Sequence, residues 1–281
     1  STLFFLYSLI ATQEAFAVTV TTDTELQEAI DQKQSVITLA NSIDYYDGLV
    51  IDYDVTINAP STDIVLKCCS VLTNFIEVRN GATLTIEDIH IDLKSWVGSS
   101  TMNAIGVQSG GKLYYDGATI EGGPSTYGIY VFGGGTAEVK SGKILSCFSG
   151  MTARDDGEIK FMEDCDITFT TNNFAVSFEE FTGTCNFNQP GINITGNTNG
   201  VVTSTGAGVV NISAGNYSNN KGSAVQARYG TYTITGGTFN NNWVGIYQRN
   251  SNLTILDCVA NNNTYGIYLE GGYSGKMTLL G

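Results

Sequence analysis

The dipeptide Gly-Ile recurs along this chain at a nearly constant interval, and that recurrence limits what the chain can fold into. Gly128-Ile129-Tyr130, Gly245-Ile246-Tyr247 and Gly266-Ile267-Tyr268 share one local pattern. Weaker copies fall between them: Ala104-Ile105-Gly106, Gly150-Met151-Thr152, Phe174-Ala175-Val176, Gly200-Val201-Val202 and Ser223-Ala224-Val225. The starts are separated by 24, 22, 24, 26, 23, 22 and 21 residues. A unit this short cannot enclose a core of its own. It buries apolar surface only by stacking on its neighbours, which is the logic of a solenoid.

Each unit reads as three short strands parted by turns. Ile105-Gly106-Val107 is followed by the turn Ser109-Gly110-Gly111, and then by the alternating run Lys112-Leu113-Tyr114-Tyr115. Alternation at period two directs Leu113, Tyr115, Ile159, Phe161, Val210, Ile212, Leu253 and Ile255 inward. Ile105, Ile129, Met151, Ala175, Ala224, Ile246 and Ile267 are expected to form a second inward stack. The runs Asn219-Asn220, Asn240-Asn241-Asn242 and Asn261-Asn262-Asn263 precede successive starts and read as amide ladders, and Gln226 and Gln248 as a further buried ladder. A propeller or antiparallel sandwich would need tight hairpins between longer strands. The expected fold is all-β, a right-handed parallel β-helix solenoid whose coils stack at roughly 4.8 Å.

Thr22-Asp23-Thr24-Glu25 is a capping box, and Leu26, Ala29 and Ile30 make an apolar stripe. A short helix over residues 22–34 is expected to cap the first coil of a single domain spanning 22–281. Residues 1–21 read separately. Leu3 to Ala11 are almost wholly apolar and Ala15-Phe16-Ala17 fits a small-x-small cleavage site, so the segment is signal-peptide-like and implies an extracellular or cell-surface location. The alternative is a docking strand that adds to a neighbour's last coil, giving head-to-tail assembly into filaments. No stretch is long enough to span a bilayer.

The Gly-Ile starts, the asparagine runs and the helix-capped first coil resemble right-handed parallel β-helix proteins of the pectate-lyase-like superfamily, over roughly residues 22–281. That resemblance implies a fold shared by polysaccharide lyases, glycoside hydrolases, phage tailspikes, adhesins and surface proteins without chemistry. Polygalacturonase-like members carry an Asp-Asp pair with Gly-His-Gly and Arg-x-Lys. Here the only histidine is His90, and there is no Arg-x-Lys.

A net charge of −14 and the lack of a basic stripe argue against nucleic acid as a partner. Six cysteines allow 15 pairings. Cys185 falls on an inward position and reads as core, while one histidine and no Cys-x-x-Cys argue against zinc. Five sequons place candidate glycan acceptors at Asn193, Asn211, Asn216, Asn252 and Asn262, of which Asn211 and Asn252 are expected to face outward.

Stacking brings equal offsets together, and two columns stand out. Asp155-Asp156 and Glu179-Glu180 share an offset in adjacent coils. Carboxylates so placed repel unless a cation such as Ca²⁺ joins them, and Arg154 projects from the same edge. The four arginines Arg79, Arg154, Arg228 and Arg249 close the first strand of their coils, at the offset that elsewhere holds Gln108, Phe132, Phe178 and Glu270. Tyr130, Tyr247 and Tyr268 precede that offset. Such a face suits sugar stacking or a protein interface. The reading that follows is a secreted or surface-exposed structural or adhesive protein without enzymatic activity. Its partners would be itself, other surface proteins or carbohydrate. The alternative is a carbohydrate-active enzyme of the Ca²⁺-dependent polyuronate lyase type, which would draw on Arg154 and the same carboxylates.

Overall fold

Short strands with unpaired edges on both sides are satisfied when the next unit of the repeat lies over them in parallel. The computed structural model describes residues 17–70, 72–94, 101–271 and 274–280. It is a parallel β-solenoid of about 10 turns. Among the described residues, the strands form a twelve-stranded, a ten-stranded and a five-stranded sheet.

The ten-stranded sheet contains the Gly-Ile repeat. Ile76, Ile105, Ile129, Met151, Val176, Val201, Val225, Ile246 and Ile267 lie opposite one another coil after coil. All are fully buried except Ile267, which is 37% exposed because its strand has a neighbour on one side only among the described residues. The expected stack is corrected at two places. Ala175 and Ala224 are buried but precede the stack by one residue, and Val176 and Val225 take the places assigned to them. The residue before the stack is small for a steric reason. A Cβ on Gly128 would sit 2.4 Å from the Gly150 carbonyl oxygen and 2.8 Å from Ile144 Cγ2. The glycine of the repeat therefore lets one coil approach the next.

The inward residues of the second strands are buried as expected, from Leu113 and Tyr115 through Leu253 and Ile255. The glutamine ladder does not form. Gln226 lies opposite Tyr247, and Ala227 opposite Gln248. Gln248 instead donates through Nε2 to the carbonyls of Ser251 at 2.7 Å and Lys276 at 3.0 Å.

At the front, the helix is Asp23–Asp31, shorter than expected, with Leu26, Ala29 and Ile30 buried. Thr22 caps it by accepting from the Glu25 backbone N–H at 3.2 Å, while the Glu25 carboxylate reaches back to Thr21. The strand Ala17–Val20 pairs with Val36–Leu39, so the solenoid begins ahead of the capping box. The apolar run from Leu3 to Ala11 lies outside the described residues. No helix among the described residues is long and apolar enough to cross a membrane.

The asparagine ladder exists and is longer than the sequence suggested. Asn172, Asn197, Asn220 and Asn242 are buried, and Asn263 continues the column half-buried. Each amide spans three coils. Asn197 Nδ2 donates to the Phe169 carbonyl at 3.0 Å in the coil before and to Asn220 Oδ1 at 3.1 Å in the coil after, and its Oδ1 accepts the Asn172 backbone N–H at 3.1 Å. The column begins at Cys147, whose backbone N–H donates to Asn172 Oδ1. The residue before each rung is left-handed: Ser146, Thr171, Gly196, Asn219, Asn241 and Asn262 have φ between 57° and 72°. Asn197→Ala strands at least one buried N–H and one carbonyl, so it should cost about 3 kcal/mol by urea unfolding. Outward Asn186→Ala should stay within about 0.5 kcal/mol.

All six cysteines are free. Cys185 is fully buried, as expected, and burial pushes its thiol far up. Burial pushes the thiols of Cys147 and Cys165 up to about 12. In the folded protein at mildly alkaline pH, a disulfide-exchange reagent should label Cys69 and Cys258, which are partly exposed, and spare Cys147, Cys165 and Cys185. All six should react in urea.

Candidate functional site

The outer face of the ten-stranded sheet carries the arginine column, with one correction to its membership. The residue pairing with Arg154 is Glu179, and Phe178 lies opposite Ala153, fully buried in the core. The column therefore runs Arg79, Gln108, Phe132, Arg154, Glu179, Ser204, Arg228, Arg249 and Glu270. Two further outward columns flank it on the same strands, one including Tyr130, Thr152 and Ser177, the other Tyr127, Ser149 and Phe174.

Three neighbouring strands make an aromatic block. Tyr127 meets Tyr130 edge-on at 5.1 Å and Phe148 at 5.5 Å, Tyr130 meets Phe132 at 5.4 Å, and Phe148 meets Phe174 at 5.4 Å. On the same face, the hydroxyls of Ser149, Thr152 and Ser177 bond one another at 2.8–3.0 Å and are almost wholly buried. Sequence reasoning found Tyr130 but missed Tyr127, Phe148 and Phe174. Tyr127 and Phe148 lie outside the Gly-Ile triplets and Phe174 passed for a coil start, so only aligning the coils would have placed them side by side.

The four carboxylates of the acidic edge are engaged by protein groups, two of them by the one guanidinium of Arg154. Glu179 accepts from the hydroxyls of Tyr127 at 3.2 Å and Tyr130 at 3.3 Å. Burial and the Glu179 charge hold the Tyr127 phenol protonated far above its usual range. Glu180 pairs with Arg154 at 2.5 Å, and Asp155 lies 3.6 Å from the same guanidinium. Asp156 accepts the Gly134 backbone N–H at 2.8 Å. Asp155 and Glu180 both have positive φ, as do Asn80, Ser109 and Gly133 at the same corner of earlier coils. The turn thus constrains this corner whatever its side chain. Among the described residues, no group of three or more His, Cys, Asp or Glu side chains is placed to hold a metal ion.

The second block lies toward the far end of the face. Tyr247 and Tyr268 stack with rings 6° from parallel at 5.7 Å. Tyr247 bonds Glu270, and Arg249 lies 3.5 Å from the same carboxylate. Burial, then Glu270, pushes the Tyr247 phenol up to about 12. Arg228 stands next to Arg249 in the column, and its side chain forms no ion pair or hydrogen bond among the described residues. Beside it, Gln226 is 8% exposed. Its Nε2 donates to Asn199 Oδ1 at 2.5 Å, but its Oε1 is buried without a partner. A half-exposed arginine without an ion pair among the described residues, beside a stacked tyrosine pair, can receive a ligand bearing oxygen acceptors. Arg79, at the opposite end, is tied to Glu77 at 3.4 Å.

Among the sequon asparagines, Asn252 and Asn262 are exposed, while Asn216 is half-buried. The Asn193 amide donates to the Gly191 carbonyl at 3.0 Å, and that of Asn211 to Asn186 Oδ1 at 2.8 Å.

No known protein-family model matches the chain, and a search of curated proteins finds no relative. Glu179→Ala removes the shared acceptor of two tyrosines and should destabilise the protein by about 1–3 kcal/mol in urea, with Glu179→Gln losing less.

Proposed function

We propose that this protein is a secreted or surface-exposed β-helix with an adhesive role, which binds an extended carbohydrate along the outer face of its ten-stranded sheet. The observation that carries the reading is the Arg228 block, where a half-exposed guanidinium without an ion pair among the described residues lies next to the stacked Tyr247–Tyr268 pair. Sugar rings stack on tyrosine faces, and sugar hydroxyl oxygens accept from a guanidinium. The aromatic block at Tyr127 and Tyr130 offers a second point of contact several coils away, so the ligand favoured is a chain rather than a single sugar.

Membership in the pectate-lyase-like superfamily belongs to the same proposal and rests on the coil pattern. The lyase alternative would need Arg154 as a free base beside a Ca²⁺ held by Asp155, Asp156, Glu179 and Glu180. The ion pair of Arg154 with Glu180 and the tyrosine bonds of Glu179 leave the binding reading ahead of it. Head-to-tail self-association through the N-terminal segment is likewise proposed. Sedimentation with and without residues 1–17 decides it.

Binding to soluble polysaccharides should be measured by calorimetry or on a glycan array. Arg228→Ala and Tyr247→Ala are each expected to lose about 1–2 kcal/mol of affinity, while Lys112→Ala on another sheet changes nothing. Binding unaffected by both face variants would overturn the reading. New ultraviolet absorbance from a polyuronate with Ca²⁺, lost in Arg154→Ala, would establish the lyase instead.

A further inference from the structure

The five-stranded sheet has an outer face unlike any other part of the molecule. Its strands Thr184–Phe187, Val209–Ile212, Thr231–Ile234, Asn252–Leu256 and Met277–Leu280 pair in parallel without a shift of register. One outward column holds Thr184, Val209, Thr231 and Asn252. The next, two residues along each strand, holds Asn186, Asn211, Thr233, Thr254 and Thr278. The central strand continues the alternation to an exposed Thr235.

Two properties of this face need explaining. The first is its charge. The chain has 27 acidic and 13 basic residues, yet none occupies an outward position on the four strands from Thr184 to Leu256. The twelve-stranded sheet, built from the same coils or their predecessors, carries ion pairs such as Lys140–Asp116 and Lys160–Glu158 on its surface. The second is its regularity. Hydroxyls, methyls and small amides repeat about every 4.8 Å across the strands and roughly every 6.6 Å along them, the spacings of a parallel β-lattice. Within the second column Asn211 and Asn186 hold each other, Asn211 Nδ2 donating to Asn186 Oδ1 at 2.8 Å.

We propose that this face binds the surface of ice. The two β-lattice spacings are close to the oxygen repeats on the exposed planes of an ice crystal. Threonine supplies a methyl that orders water around it and a hydroxyl that joins the ordered layer. Charged groups would impose hydration shells that do not fit an ice layer, which accounts for their exclusion from the first four strands; the exposed Lys276, beside Asn252, bounds the face at the fifth. The columns extend over five strands, so many weak contacts act together on a rigid support. The inference is independent of carbohydrate binding on the ten-stranded sheet. It also excludes glycans at Asn211 and Asn252, because either would cover the face.

The test uses the full chain made in a bacterial host, without N-glycans. Nanolitre osmometry should show a gap between melting and freezing temperatures, with faceted crystals, and recrystallisation of fine ice should slow. Thr233→Lys and Thr254→Lys place a charge at the centre of an outward column and should abolish both effects while circular dichroism stays unchanged. Lys112→Ala should keep them. Coincident melting and freezing, with crystals coarsening as in buffer, would overturn the proposal. So would activity that survives both lysine variants, or a wild-type dimer that Thr233→Lys dissociates with no effect on ice at any stage.

Discussion

A buried amide that finds no partner is expensive, and in this molecule that expense fixes the register of one coil on the next. Asn172, Asn197, Asn220 and Asn242 each need a carbonyl in the coil before and an oxygen in the coil after. Apolar stacking alone would not choose the register so sharply, because Ile105 would pack nearly as well against Val131 as against Ile129. A slip of two residues keeps every apolar side chain inside but breaks every rung. The hydrophobic stack thus supplies most of the driving force, and the amide column supplies the selection among similar packings.

Much of this was legible in the chain. The interval between Gly-Ile copies announced stacked coils, and simple alternation placed Leu113, Tyr115, Val210 and Ile255 inside. The errors have a common source. Just before the core stack the strand bends, so that two successive residues are buried, as Phe75 and Ile76 are. A strict period of two fails at such a bend. There Phe174 and Ser223 passed for coil starts, and the resulting one-residue slip put Phe178 on the surface and Gln226 beside Gln248. The rung at Asn197 was overlooked because it stands alone between Gly196 and Thr198, and the short pair Asn172-Asn173 was passed over.

The functional face was harder to read, because no single stretch of chain contains it. Its two blocks take side chains from three coils each, and the coupling of Tyr127 and Tyr130 to Glu179 joins residues about fifty positions apart. A sequence can show which residue types recur at one offset. It cannot show which of them have already satisfied each other. Arg154 and Arg228 look alike in the repeat, yet one is held by Glu180 and the other stands free among the described residues. The acidic edge illustrates the converse. Its assumed offset was wrong by one residue: Glu180, not Glu179, lies beside Asp155, and what those two share is a left-handed turn corner.

The amide column also has a direction. From rung to rung the amide N–H donates toward the higher-numbered coil, so a coil leaving the ribosome arrives with its oxygen ready for N–H groups already exposed on the finished coil before it. Assembly can then proceed like the laying of courses in a wall, each resting on the last and waiting for nothing further along. The same polarity makes the coil a transferable module. A segment of about two dozen residues that brings one left-handed residue, one asparagine and one glycine step could be duplicated or lost in a gene without disturbing the joints on either side. Length, in a molecule built this way, is a quantity that evolution can adjust in whole steps.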